Sequence, residues 1–102
     1  MKVAHSLTPD KFKLSPAYPN PFNPRTTVKY ELPIDSELNL SVYDIQGRLV
    51  THLSKGFKSA GYYETIWDAS QYSSGIYFIQ IQAYDTDRKN NFESMQKIML
   101  VK

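Results

Sequence analysis

Two histidines, ten carboxylates and no cysteine are the groups from which this 102-residue chain could assemble chemistry. His5 lies in a polar lead-in and His52 in a stretch with strand-like alternation. Neither has a carboxylate and a hydroxyl nucleophile at a recognisable spacing. The nucleophile-elbow pattern G-x-S-x-G is missing as well. No catalytic residue is therefore assigned, and His52 reads as a surface strand residue. Without cysteine there is no disulfide framework, thiolate metal site or thiol nucleophile. Asp85-Thr86-Asp87 is similar to the opening of a calcium loop, yet the glycine and the distal bidentate glutamate of that pattern are missing. The segment reads as a solvated hairpin tip, and no metal or cofactor is expected.

The aromatic inventory offers a second kind of chemistry. Tyr43, Tyr62, Tyr63, Tyr72, Tyr77 and Tyr84 carry planar rings of the kind on which carbohydrate-binding modules stack sugars. Period-two placement within strands sends about half of them into a core in any case, and the remainder can pair across strands. The basic residues are scattered singly and leave a formal charge of +2, so no footprint for a nucleic acid or an anionic membrane stands out. No run of about 18 apolar residues occurs, so no membrane insertion is expected. Met1 to Asp10 lacks the apolar core of a signal peptide.

Any such side chains must be positioned by strands. Met1 to Lys11 is polar and without periodicity, a linker remnant or lead-in, and one domain is expected over residues 12–102. The run Tyr18-Pro19-Asn20-Pro21-Phe22-Asn23-Pro24 demands an extended or turn-rich crossing, because each proline fixes φ and removes an amide donor. Phe22 and Tyr18 are expected to plug one end of the core. Thr27 to Leu32 and Leu38 to Tyr43 alternate polar and apolar residues with period two, as half-buried strands do. Asp44-Ile45-Gln46-Gly47 has the residues of a type I turn and predicts a tight hairpin into Arg48 to Leu53. Gly56 and Gly61 are expected to bracket a loop.

Tyr62 to Trp67 reads as the next strand, with Trp67 the first choice for the core. Gly75 to Tyr84 is the most hydrophobic strand, and the unbroken apolar stretch at its start predicts a central strand buried on both faces. Asp85 to Asn91 is the tip of a hairpin, and Phe92 to Val101 the final strand, expected at a sheet edge with its unpaired backbone groups exposed. About seven strands with turn signals between them predict an all-β fold, an immunoglobulin-like antiparallel β-sandwich.

The proline run and the following Thr26-Thr27-Val28-Lys29-Tyr30-Glu31-Leu32-Pro33 resemble the opening of type A C-terminal sorting domains, carried by cargo of the bacterial type IX secretion system. Leu40 to Val50 resembles that family's strand, Asp-x-x-Gly-Arg turn and returning strand. Trp67-Asp68-Ala69, Ser74-Gly75-Ile76-Tyr77-Phe78 and the ending Lys97-Ile98-Met99-Leu100-Val101-Lys102 resemble its later blocks. Each block alone is weakly specific, and five in order are strong. The chain departs from the family at Arg25, where a small hydroxyl residue is usual, and in the longer polar tip Asp85 to Asn91.

The resemblance implies a non-catalytic domain that folds in the periplasm and directs a larger parent protein, upstream in the same chain, across the outer membrane. Its implied partners are the outer-membrane translocon and a sorting protease. Cleavage would fall before Phe12, and the parent would be attached at the cell surface. Recognition is expected at Lys97, Ile98, Met99, Leu100, Val101 and Lys102. A related immunoglobulin-like module occurs in flagellar hook-capping proteins and on extracellular hydrolases. The alternative is therefore an accessory structural or carbohydrate-binding module of an extracellular enzyme.

Overall fold

A computed structural model describes residues 8–102 of the chain; His5 and most of the polar lead-in lie outside the described residues. The strands are β1 (Lys13–Leu14), β2 (Arg25–Leu32), β3 (Ser36–Asp44), β4 (Leu49–Lys58), β5 (Gly61–Asp68), β6 (Gly75–Asp85) and β7 (Asn91–Leu100). They form a three-stranded sheet in the order β1-β2-β5 and a four-stranded sheet in the order β4-β3-β6-β7, with every pair antiparallel. The chain is thus an all-β, immunoglobulin-like sandwich.

Alternation in the sequence decides which side chains meet between the sheets. Val28, Tyr30 and Leu32 of β2 face Leu38, Leu40 and Val42 of β3, Ile79, Ile81 and Ala83 of β6, and Ile98 and Leu100 of β7 in one buried cluster. At about 1.5 to 3 kcal/mol per fully buried large side chain, this cluster is the main source of stability. At one end, Trp67 packs against Phe22, Tyr72 and Tyr77 with ring centroids 5.5, 5.7 and 5.3 Å away. Tyr77, at the start of β6, donates its hydroxyl to the Ser73 carbonyl at 2.7 Å. This is the tyrosine corner of immunoglobulin-like sandwiches.

The hairpin between β3 and β4 turns as its residues predict. The Gly47 amide donates to the Asp44 carbonyl at 2.9 Å, and Gly47 takes a φ of 83° that side chains disfavour. The Asp44 carboxylate accepts from the amides of Gln46 and Arg48, each at 2.9 Å, and from Arg48 Nε at 3.0 Å.

Four expectations need correction. Tyr18 is 80% exposed and only Phe22 enters the core, because Tyr18 bridges to Thr27 at the rim of the three-stranded sheet. Gly56 lies inside β4, and Gly61 opens β5, so the turn between them is only Ser59-Ala60. Gly56 pairs with Leu38 at a φ of 117°, a conformation that side chains disfavour and glycine allows, so the strand continues through it. Strand β6 is central, between β3 and β7, but only its inward residues are buried. Its apolar start, Ile76 to Ile79, therefore places Ile76 and Phe78 on a partly covered outer face. Finally, β7 is an edge strand whose edge is not bare.

The polypeptide from Phe12 to Asn23 runs along β7 from one end to the other. Phe12 stacks on Phe92 at 5.4 Å. The Gln96 carboxamide accepts from the Ala17 amide at 2.7 Å and donates to the Ser15 carbonyl at 2.9 Å. The Thr26 hydroxyl, buried, donates to the Pro19 carbonyl at 2.7 Å and ties the crossing back to β2.

Three turn carboxyls are held below the usual carboxylate range: Asp44 chiefly by the Arg48 amide, Asp68 chiefly by the Ser70 hydroxyl, and Asp85 chiefly by the Asn90 carboxamide. A depressed carboxyl contributes stability above its unfolded pKa of about 4 and loses it as pH falls through the lower folded value. Thermal melts should therefore be nearly constant from neutral pH down to about 5 and fall below about 4. Asp44→Asn should melt lower at neutral pH and lose less on acidification; an acid dependence identical to the parent's would contradict this assignment.

Candidate recognition surface at the terminal strand

The candidate residues Lys97 to Lys102 occupy the end of β7, and its two-residue period divides them into two sets. Ile98 and Leu100 point inward and are buried, whereas Lys97, Met99, Val101 and Lys102 are exposed, Met99 at 41% and Val101 at 47%. The run Ile98-Met99-Leu100-Val101 is therefore half anchor and half surface. Across the ladder Lys97 lies opposite Phe78, and Met99 opposite Ile76. The outer face continues into a shallow groove of about 360 Å³ lined by Tyr43, Ile45, Phe78, Gln80 and Met95 among others.

The proline crossing holds this segment in place. Pro19, Pro21 and Pro24 have no amide to offer, so a regular ladder is not available. The Asn20 side chain replaces the missing rung: its Nδ2 donates to the Lys97 carbonyl at 3.1 Å and its Oδ1 accepts from the Met99 amide at 3.0 Å. One residue pair further on, backbone takes over. The Phe22 amide donates to the Met99 carbonyl and the Val101 amide to the Phe22 carbonyl, both at 2.9 Å, in a parallel bridge. The chain end is tied as well, since the Lys102 amide donates to Ser74 Oγ at 3.0 Å and its ammonium to the Ser70 carbonyl.

Sequence reasoning missed Asn20, Gln96, Ser70 and Ser74 as supports of this strand. An asparagine between two prolines was the available signal, because its carboxamide carries the donor and acceptor that its neighbours lack. The other sequence candidates are dispersed. Tyr62 and Tyr63 belong to the three-stranded sheet, Tyr43, Tyr77 and Tyr84 to the other, and Tyr72 to the loop between β5 and β6. Tyr63 stacks on Tyr30 at 5.2 Å, and the Arg88 guanidinium covers Tyr84 at 4.2 Å. Asp85 accepts from the Lys89 amide at 2.9 Å and Asn90 Nδ2 at 2.8 Å, which commits its carboxylate to the hairpin tip.

His52 is exposed, as expected, and belongs to a cluster the sequence did not announce. Its Nδ1 lies 2.8 Å from Ser41 Oγ and 3.2 Å from Asn39 Oδ1. The Ser41 hydroxyl donates to Asn39 Oδ1 at 2.6 Å. Ser41 is 1% exposed, so its oxygen is closed to a substrate, and its proton is directed to Asn39 rather than to a base. The cluster satisfies polar groups where the β3–β4 register shifts between Leu40 and Ser41.

The fold and this edge define an immunoglobulin-like sandwich whose first crossing secures its last strand. Comparison with protein families matches residues 16–99 to the secretion system C-terminal sorting domain. The chain belongs to that family, the sorting domains of type IX secretion, and is thereby assigned to a secreted or cell-surface protein in a role that is typically non-catalytic. No curated protein matches it. Among solved structures it is similar to CopC from Methylosinus trichosporium OB3b, with 19% identity, a TM-score of 0.55, and coverage of 88% of this chain and 93% of that one. It is also similar to part of PorZ, an essential bacterial surface component of the type-IX secretion system of Porphyromonas gingivalis. There the identity is 20%, the TM-score 0.51, and coverage 91% of this chain and 12% of PorZ. Both likenesses concern the fold.

Replacing Asn20 with Ala removes both bonds to β7 while leaving Phe22 in the core. The expected loss is about 1 to 2 kcal/mol in denaturant unfolding, with faster hydrogen exchange at the Met99 amide. Lys97→Ala should change stability by less than about 0.5 kcal/mol. Unchanged Met99 exchange in Asn20→Ala would show that the carboxamide does not hold the strand.

Proposed function

We propose that this domain is the signal by which the type IX machinery carries a larger parent protein across the outer membrane, and that the machinery reads the folded end of β7. Family membership over residues 16–99 supports the sorting role. The observation that carries the site is the division of the last six residues. Ile98 and Leu100 lock the strand into the core, while Lys97, Met99, Val101 and Lys102 present their side chains outward from a backbone fixed by Asn20 and Phe22. A rigid strand with exposed alternate side chains is a surface that a partner can read without unfolding the domain.

In this reading residues 12–102 are the sorting domain and the preceding polar stretch is linker. The parent precedes it in the same chain, folds with it in the periplasm, and is released by a sorting protease that cuts before Phe12. The parent then remains attached at the cell surface. The domain supplies no catalytic group, because it is the substrate of that machinery. No cofactor enters the reading.

The test fuses the domain to a fluorescent reporter with an inner-membrane signal peptide, in a bacterium that has the type IX machinery. Reporter is then measured in the periplasm and on the surface. The intact fusion should reach the surface. A variant with Lys97, Met99, Val101 and Lys102 all replaced by Ser should keep a cooperative melt and strand at least about tenfold more reporter in the periplasm, a loss of about 1.4 kcal/mol in recognition. Export of that folded variant at the parental level would refute the terminal strand as the site. Retention of the intact fusion, while an authentic sorting domain exports the same reporter, would refute sorting and favour the accessory-module role.

A further inference from the structure

We infer that the free edge of β5 is a second docking site, one that accepts an extended segment of another polypeptide bearing a basic residue between two apolar ones. Edge strands carry rows of unpaired amides and carbonyls, and folded proteins usually blunt them with bulges, lysines, prolines or a covering segment. In this sandwich two long edges are blunted. The proline crossing occupies the edge of β7 at Lys97, Met99 and Val101, and β4 is broken by register shifts opposite Leu40/Ser41 and Val42/Tyr43, by Gly56 and by Lys55 and Lys58. Strand β5 has none of these features. It keeps an uninterrupted register with β2 from Gly61↔Leu32 to Asp68↔Arg25 and contains neither lysine nor proline.

The hydrogen-bonding phase of β5 follows from its end. The Ala69 amide donates to the Pro24 carbonyl at 2.8 Å. Antiparallel rungs alternate, so Trp67, Thr65, Tyr63 and Gly61 bond to β2, while Tyr62, Glu64, Ile66 and Asp68 direct their amides and carbonyls away from it. No other strand pairs with β5, and among the described residues these four backbones have no further backbone partner. The edge is thus an eight-residue template with four open positions.

Side chains specify what the template takes. Tyr62 and Ile66 are 56% and 57% exposed on the outer face, and Glu64 stands between them. Among the described residues the ion pairs are Arg25–Asp68 and Arg48–Asp44, so Glu64 has no cation in contact even though Lys29 lies across the ladder. An added antiparallel strand would therefore place a basic side chain beside Glu64 and apolar ones beside Tyr62 and Ile66. A second copy of the chain offers Glu64 no cation in either two-fold register that overlaps seven residues: Glu64 opposite Glu64 sets two carboxylates face to face, which is destabilising, and Glu64 opposite Ile66 leaves both carboxylates beside apolar side chains. The site is independent of the terminal strand, so its failure would leave the sorting role standing.

The probe is a capped peptide, Thr-Val-Thr-Lys-Thr-Val-Thr, titrated into the isotope-labelled chain, with a control in which Glu replaces Lys. Saturable shifts and slowed exchange are expected at the amides of Tyr62, Glu64, Ile66 and Asp68, with the Glu peptide at least about 3-fold weaker. Ile66→Pro removes an outward amide that β2 does not use, so it should abolish binding without lowering the melting temperature. Should that variant melt early, Glu64→Lys decides, since it must reverse the preference between the two peptides. The inference is overturned if the Lys peptide fails to bind at millimolar concentration, if its shifts map to β4 or β7, or if Glu64→Lys leaves the preference unchanged.

Discussion

The structure depends on closing the outer edge of β7 with a segment that cannot form a normal ladder. A terminal strand with a bare edge would expose amides and carbonyls beside an apolar run, which invites pairing with other chains. The segment that covers it has prolines at positions 19, 21 and 24, and each proline removes one donor. Carboxamides solve the problem from both sides. Asn20 reaches from the crossing to Lys97 and Met99, and Gln96 reaches from β7 to Ser15 and Ala17. Each side chain presents one donor and one acceptor in a plane, the same pair a peptide group would offer. The amide orientations are set by their partners, because a carbonyl only accepts and an amide N–H only donates.

This closure makes the two sides of the sandwich unlike. On the β7 side, backbone and side-chain bonds join residues as far as 81 positions apart, and the Phe22 ring continues the contact into Trp67. On the other side, β4 and β5 are consecutive and joined by a two-residue turn, yet they belong to different sheets and do not pair. Tyr63 spans that turn by donating its hydroxyl to the Ser59 carbonyl at 2.6 Å, with Lys58 over its ring. The closed side is where the first crossing meets the last strand; the other side keeps one edge interrupted by register shifts and one in continuous register.

Much of this was legible in the sequence, and the part that was not has a common cause. Alternation in Thr27 to Leu32 and Leu38 to Tyr43 sorted inward from outward residues correctly, and the Asp44-x-x-Gly47 turn located the hairpin. Period two describes faces, however, and says nothing about edges. It could not show that the end of β7 is capped, that Gly56 continues a strand rather than ending it, or that Tyr18 is left outside while Phe22 enters. Composition misled at β6, where Ile76 and Phe78 look like core but stand on a face shared with Met99 and Lys97. At the candidate site the same limit applied: six consecutive residues looked equivalent in one dimension, and pleating makes two of them core and four of them surface.

The blocks that carry the family resemblance are far apart in the chain and contiguous in space. Asn20 and Lys97 are 77 residues apart and hydrogen-bonded; Phe22, Trp67 and Tyr77 share one aromatic cluster; Ser74 and Lys102 join the turn before β6 to the chain end. A chain in which residue 20 has not reached residue 97 has the terminal sequence but not the terminal surface. In an unfolded chain Ile98 and Leu100 would be as available as Met99 and Val101, and the pattern of alternate exposed side chains would not exist. Folding is what converts a short and compositionally ordinary run into a distinctive one, because it hides half of the run and fixes the rest against a neighbour of defined shape. Under the proposed function, this makes the sorting signal conditional on a completed fold. A machine that reads the folded end of β7 thereby also tests that the first crossing, the aromatic cluster and the last strand have come together.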